Sequence, residues 1–349
     1  MIKLLGAVLL FMTVLKPETS EFQKLMGKKT PHWMHVTKAQ DIQALENFEA
    51  LYEKNKHIQY DEEAEAKIPK IIHFIWLGPN PFPPQSVENI RMWIANHPDW
   101  KVKFWTDRER FAPCSAMEVC DARAFPFLFL SRCYEQSTNW GEKADILCFE
   151  ILYQEGGIYA EHATNCLKRF DDLTRYDFFC GLETPHPPFI GRNITCGNGI
   201  VGARPFHPVI GGVLELIDRE WEDMGHKYRG WDGYSRTQLI AERTYLKLTD
   251  ALKGRIDEDN NLDIILPAAY FFAKEGIPAL YSKHFTTGIW TQEYASADTE
   301  KSSLKAFNKL QKRNHLILWI GRGALSINLL AFSGLFFYVM QKKKKKQKP

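Results

Sequence analysis

Residues 139–165 restrict this chain more than any other stretch. In Lys143-Ala-Asp-Ile-Leu-Cys-Phe-Glu-Ile-Leu-Tyr153 the apolar positions 144, 147, 148, 151 and 152 fall on one helical stripe. Gly156-Gly157 then supplies the left-handed residues that end a helix. The chain resumes as Ile158-Tyr-Ala-Glu-His-Ala-Thr164, which reads as a strand with an acid at its end. A helix stopped by two glycines and followed by an acid-bearing strand belongs in an open α/β sheet. In such sheets ligands bind in the crevice at the carboxyl ends of the strands.

The flanking sequence repeats the same alternation. Ile68-Pro-Lys-Ile-Ile-His-Phe-Ile-Trp76 is a short apolar run closed by Leu77-Gly78-Pro79, the pattern of a buried strand. Residues 86–96 read as a helix, and Trp100-Lys-Val-Lys-Phe-Trp105 alternates as a strand. Strand, helix, strand in that order implies a parallel βαβ unit. Further strands are expected at 178–181 and 200–202. Upstream, residues 39–66 are rich in Glu, Lys, Ala and Leu and read as helical, with Leu45, Phe48, Leu51 and Tyr52 at helical spacing.

The order Ala144-Asp145-Ile-Leu147, Ile151-Leu-Tyr153, Gly156-Gly-Ile-Tyr159 and then an acid resembles the DXD-motif sugar transferases. That family includes Och1-like yeast mannosyltransferases, inositol-phosphoceramide mannosyltransferases and the catalytic domains of large clostridial glucosylating toxins. Other landmarks resemble the family in the same order: the 68–76 strand, Asn96-His-Pro-Asp-Trp100 with Phe104-Trp-Thr-Asp107, Asn198-Gly-Ile-Val-Gly-Ala-Arg-Pro-Phe-His207-Pro208, and Ile265-Leu-Pro267 followed by His284 and Trp290. The resemblance implies a GT-A fold (Rossmann-like, mostly parallel sheet flanked by helices), a UDP- or GDP-hexose donor, a divalent metal (Mn2+ or Mg2+) and anomeric retention. It also implies roles. Asp145 and Glu161 are the candidate catalytic acids. Trp76, stacking on the base, joins Asp145, Gly157, Tyr159, Glu161, Asn198, His284 and Trp290 around the nucleotide sugar. Asn198 and His207 lie toward the acceptor.

The chemistry behind such a motif is direct. A nucleoside diphosphate is highly anionic, and a hard cation held by carboxylates neutralises it. Acids at i and i+2 of an extended strand share a face and can reach one metal. This chain departs from that pattern. The motif is Glu161-His162-Ala163, so Glu161 keeps a carboxylate while Ala163 offers no ligand. His162 is a substitute metal ligand only if a bulge turns it inward. The family's arginine after the helix aspartate is Cys148, and its serine before the closing tryptophan is Ile289.

The chain ends carry a separate signal. Residues 4–15 form an apolar run after one lysine, the pattern of a signal peptide or anchor. Gly323 to Met340 contains eighteen residues without a charge, followed by five lysines from Lys342 to Lys346. That length predicts a C-terminal transmembrane helix, with the lysine tail cytoplasmic. The tail also accounts for the net charge of +3, so nothing in the remainder indicates a nucleic-acid surface. The expected layout is therefore a signal or anchor at 1–20, a helical N-terminal extension at 21–66 and the transferase-like domain at 67–295. A helical linker at 296–314, the membrane helix at 315–341 and a basic tail at 342–349 complete it. The seven cysteines include no CxxC pair, which speaks against a zinc ribbon; three disulfides or none are both open.

Two functions compete. One is a membrane-tethered transferase moving a hexose from a nucleotide sugar to a lipid or glycan acceptor. The other is a relative that binds sugar nucleotides, or serves as a scaffold, without metal-dependent chemistry, because Ala163, Cys148 and Ile289 replace polar donor-site residues. A third reading places the function in the terminal helix and lysine tail alone.

Overall fold

The computed structural model describes residues 19–61, 63–228, 233–255 and 261–285. Apart from residues 233–237 these form one compact unit. Nine strands are described: β1 (Ile71–Ile75), β2 (Lys101–Thr106), β3 (Glu118–Asp121), β4 (Gly157–Ala160), β5 (Thr164–Cys166), β6 (Phe178–Leu182), β7 (Cys196–Ala203), β8 (Asp263–Leu266) and β9 (Ser282–His284). The helices are α1 (Glu21–Leu25), α2 (Ala39–Asn55), α3 (Pro84–Asn96), α4 (Ser131–Gln136), α5 (Trp140–Gln154), α6 (Pro208–Lys227), α7 (Gly233–Arg243) and α8 (Tyr245–Arg255).

Seven strands make one sheet in the order β3-β2-β1-β4-β7-β6-β8, and β5 pairs with β9 in a second, small sheet. Every neighbouring pair in the large sheet is parallel except the two made by β7. The architecture is thus mixed α/β with a mostly parallel central sheet. Strands β4, β6 and β8 are buried along their whole length, as near-continuous apolar runs between two covered faces should be. The edge strand β3 is short and exposed.

The opposite edge, β8, is covered. Helix α2 buries Leu45, Phe48 and Tyr52, and Asn55 at its end donates to the Asp263 carbonyl at 2.7 Å. The expected N-terminal extension is therefore part of the same compact unit. Its helix stops at Asn55 rather than running to 66. Asp61, Glu63, Ala64 and Glu65 are exposed and present no apolar face to bury. The first strand begins at Ile71, because Pro69 has no amide hydrogen for a ladder.

Helix α5 differs from the expected single stripe: residues Ile146 to Leu152 are all buried. It begins at the Asn139 cap, whose side chain accepts from the Glu142 amide at 2.8 Å. It ends where Gly156 and Gly157 take φ of 65° and 95°, the left-handed cap read from the sequence. All seven cysteines are free thiols. Asn193 of the Asn-Ile-Thr triplet is buried, its amide donating to the His186 carbonyl at 3.1 Å, so the triplet is no surface acceptor for a glycan. Among the described residues no helix is long and apolar enough to cross a membrane. The segments at 1–18, 296–314, 315–341 and 342–349, together with Ile289 and Trp290, lie outside the described residues.

Candidate donor site

The sheet order defines where a ligand fits. The chain runs outward from β1 to β2 and β3, then returns to place β4 on the other flank of β1. The crevice between β1 and β4 is the switch point at which α/β sheets bind ligands. Trp76 follows β1 and Glu161 follows β4, and the two strands are parallel with Ile72 beside Ile158 and His73 beside Tyr159. Both residues therefore emerge at the same edge.

Past Ala160 the chain turns instead of extending. The Glu161 amide donates to the Gly199 carbonyl at 2.8 Å, and the Thr164 amide and hydroxyl both reach the Glu161 carbonyl, at 2.9 and 2.5 Å. Positions 161 and 163 consequently do not share a strand face. Ala163 is buried, and its carbonyl accepts from the Phe285 amide at 2.9 Å. His162 is also buried, with Nδ1 2.8 Å from the Ser86 hydroxyl and its carbonyl accepting from Asn89 at 3.0 Å. Its ring meets Trp76 edge-on at 4.9 Å, and burial pushes its pKa down. The His162 ring, expected as a substitute metal ligand, is held among Ser86, Trp76 and Phe82.

Glu161 instead faces His284, which β9 delivers through its pairing with β5, Thr164 lying opposite His284. The His284 Nε2 and the Glu161 Oε2 are 2.8 Å apart. Burial pushes the Glu161 carboxyl up, but the hydrogen bond and charge of His284 outweigh it and hold the group below its ordinary value. The same contact raises His284 against the opposing effect of burial. Gly199 keeps this space open, since a Cβ there would stand 3.3 Å from Glu161 Oε2.

Asp145 sits in the second turn of α5 and is held at both oxygens. Asn198 of β7 donates to Oδ1 at 2.9 Å, and the Thr244 hydroxyl reaches Oδ2 at 2.8 Å. Burial raises the Asp145 pKa to about 7; the Thr244 and Asn198 hydrogen bonds oppose this, and the charge of Glu161 adds to it. The two acids are thereby driven apart in protonation, one ionised and one titrating near neutrality, which is how paired carboxyls take different roles. Cys148, one turn further along α5, is fully buried, where burial pushes its thiol well above the ordinary range.

Of the residues expected around a donor, Trp76, Asp145, Glu161, Asn198 and His284 converge at this edge. Trp76 is buried, its indole nitrogen donating to the Asn80 carbonyl at 2.9 Å, while Arg110 donates to the Trp76 and Gly78 carbonyls. Tyr159 is buried in β4 between His73 and Val201. Two of the expected residues lie away from this edge. Gly157 begins β4, so it lies at the opposite end of that strand from Glu161; a Cβ there would meet the Ile71 carbonyl at 2.7 Å, and its role is strand packing. His207 follows the end of antiparallel β7, where Ala203 pairs with Gly157, so it too lies at the far edge. There it is fully buried, 2.9 Å from Asp263 and accepting from the Val209 amide at the start of α6. Sequence reading missed Thr244, Gly199 and Ser86. None of the three carries a local signal, because their partners are brought in from elsewhere in the chain.

The described residues do not fit the divalent cation of a DXD site. Such hard cations take six or more oxygen ligands and lean on carboxylates. Here Glu161 is the one acid of the motif and is bonded to His284, Ala163 is packed away, and His162 is bonded to Ser86. Among the described residues no group of three or more His, Cys, Asp or Glu side chains is placed to hold a metal.

Residues 83–179 match the family model of the glycosyltransferase sugar-binding region containing the DXD motif. The chain is 30% identical over 165 residues to inositol phosphoceramide mannosyltransferase 3 of Schizosaccharomyces pombe, covering 47% of this chain and 40% of that protein. It is 22% identical over 274 residues to the initiation-specific alpha-1,6-mannosyltransferase of the same yeast, covering 67% of each. Among solved structures, the PaToxG glycosyltransferase superposes with a TM-score of 0.43 at 17% identity, over 66% of this chain and 82% of that one. Residues 83–179 are thus similar to the sugar-binding region of the DXD-motif glycosyltransferases, with Glu161-His162-Ala163 at the place of the motif. It spans less than half the length of the inositol phosphoceramide relative.

Proposed function

We propose that this protein is a hexosyltransferase of GT-A fold. It takes a UDP- or GDP-hexose in the crevice between β1 and β4 and passes the sugar, with retention, to a glycan or lipid acceptor. The observation that carries the reading is the convergence of Asp145, Asn198 and Glu161 at the switch point of a sheet whose flanking segment matches the sugar-binding family model. In this reading Asp145, fixed by Asn198 and Thr244, engages the sugar, and Glu161 with His284 bounds the diphosphate side. Trp76 borders the base. A lipid acceptor accords with the apolar segment at 323–340, which would tether the domain beside a membrane.

Titration calorimetry with UDP- and GDP-hexoses, followed by assay of donor hydrolysis, tests this directly. Asp145→Asn and Glu161→Gln should each reduce turnover by about tenfold or more. Retention is read from the anomer that first appears in the NMR spectrum of the hydrolysis product. A chain that binds none of these donors would sink the proposal. The second reading, a binding subunit without turnover, draws on Ala163 and Cys148. It predicts donor binding with no hydrolysis under any condition.

A further inference from the structure

The Glu161–His284 contact occupies the place where a DXD site needs two acids free for a cation. Three observations meet there. Glu161 gives its Oε2 to His284 at 2.8 Å, leaving that oxygen engaged. The second motif position is Ala163, a buried methyl that offers a cation no ligand atom. His162 between them is fixed on Ser86. Yet the pair itself is no core contact: the side chains of His284 and Glu161 are 21% and 27% exposed, so a ligand entering the crevice reaches them.

We infer that this crevice binds the diphosphate of a nucleoside diphosphate without a divalent cation, with His284 standing in the cation's place. One ring nitrogen is committed to Glu161, which orients the imidazole; the exposed remainder of the ring is available to the phosphates. Asp145 already has one oxygen turned to Asn198 and the other to Thr244. This inference rests on the donor-site reading above and deepens it.

Calorimetry of the full chain with UDP and with GDP, first in excess EDTA and then in excess Mn2+, tests it. The expected result is an affinity for at least one nucleotide that differs by less than about threefold between the two conditions. His284→Ala should weaken that nucleotide by about tenfold while changing the matching monophosphate by less than about threefold, which a purely structural role would not do. Mn2+ electron paramagnetic resonance on the free protein should detect no stoichiometric site. Binding that appears only with Mn2+, or an equal loss of diphosphate and monophosphate in the variant, overturns the inference while leaving the donor site standing. Binding of neither nucleotide in either condition overturns the donor-site reading, and this inference with it.

Discussion

The Thr244 hydroxyl lies 2.8 Å from Asp145 Oδ2, joining the turn between α7 and α8 to the second turn of α5. Thr244 is fully buried and also lies 3.0 Å from the Ile240 carbonyl. With a single proton to donate, it can serve Asp145 or Ile240 but not both at full strength. When Asp145 is protonated the carboxyl can donate to Thr244, and Thr244 to Ile240. That chain of donors suits a carboxyl whose pKa burial has raised to about 7.

Thr244→Val should therefore cost about 1–3 kcal/mol of stability, by leaving one oxygen of a half-buried carboxyl without its donor. Thr244→Ser should recover most of the loss. Urea denaturation of the three proteins measures both, and equal stability of the valine variant and wild type would count against a structural role for the hydroxyl.

Asp145 and His73 should impose opposite slopes on stability against pH. Asp145 holds more protons folded than unfolded between its ordinary 3.8 and about 7, so its contribution is present at low pH and lost as pH rises through about 7. His73 is fully buried, with Nε2 2.9 Å from the Gly156 carbonyl and Nδ1 accepting from Trp105 at 3.2 Å. Burial lowers it from 6.5 to about 4, so its contribution is lost as pH falls through that window. Relative to wild type, Asp145→Asn should gain stability from pH 4 toward pH 7 across the window of its titration. His73→Gln should change relative to wild type in the opposite direction. Urea denaturation at a series of pH values decides this, and parallel curves for all three proteins would refute it.

Gly157 has a packing task rather than a ligand. With φ at 95° and a would-be Cβ 2.7 Å from the Ile71 carbonyl, Gly157→Ala should destabilise the fold by about 2 kcal/mol or more. If the variant folds, its nucleotide affinity should be unchanged. Thermal denaturation and calorimetry read the two effects separately.

His162 should tolerate loss of any metal-binding capacity but not loss of its hydrogen bond to Ser86. His162→Ala opens a void beside Trp76 and Phe82, and should lower stability by about 2 kcal/mol or more. Donor binding in EDTA and in Mn2+ should respond alike. A selective loss of binding in Mn2+ would restore His162 as a ligand.

Much of this molecule is local and was therefore legible. The apolar runs at 71–75, 101–106 and 157–160 and the helices between them follow from residue periodicity, and the double glycine at 156–157 from backbone freedom. The acid at the end of β4, and with it the crevice, follows from the same short-range signals, whereas the class of ligand proposed for it comes from the family resemblance. The sequence also specified the loss of the second motif acid. What it did not determine was the company each polar side chain keeps. Glu161 meets His284 across 123 positions, and Asp145 meets Thr244 across 99. The turn at 161–164 separates two positions that an extended strand would have placed on one face. One antiparallel strand, β7, sends His207 to the far edge while leaving Asn198 at the site. Side-chain spacing is encoded between neighbours, whereas strand order and direction are set by the packing of the whole sheet. Only the tertiary structure, for that reason, decided which residues form the site.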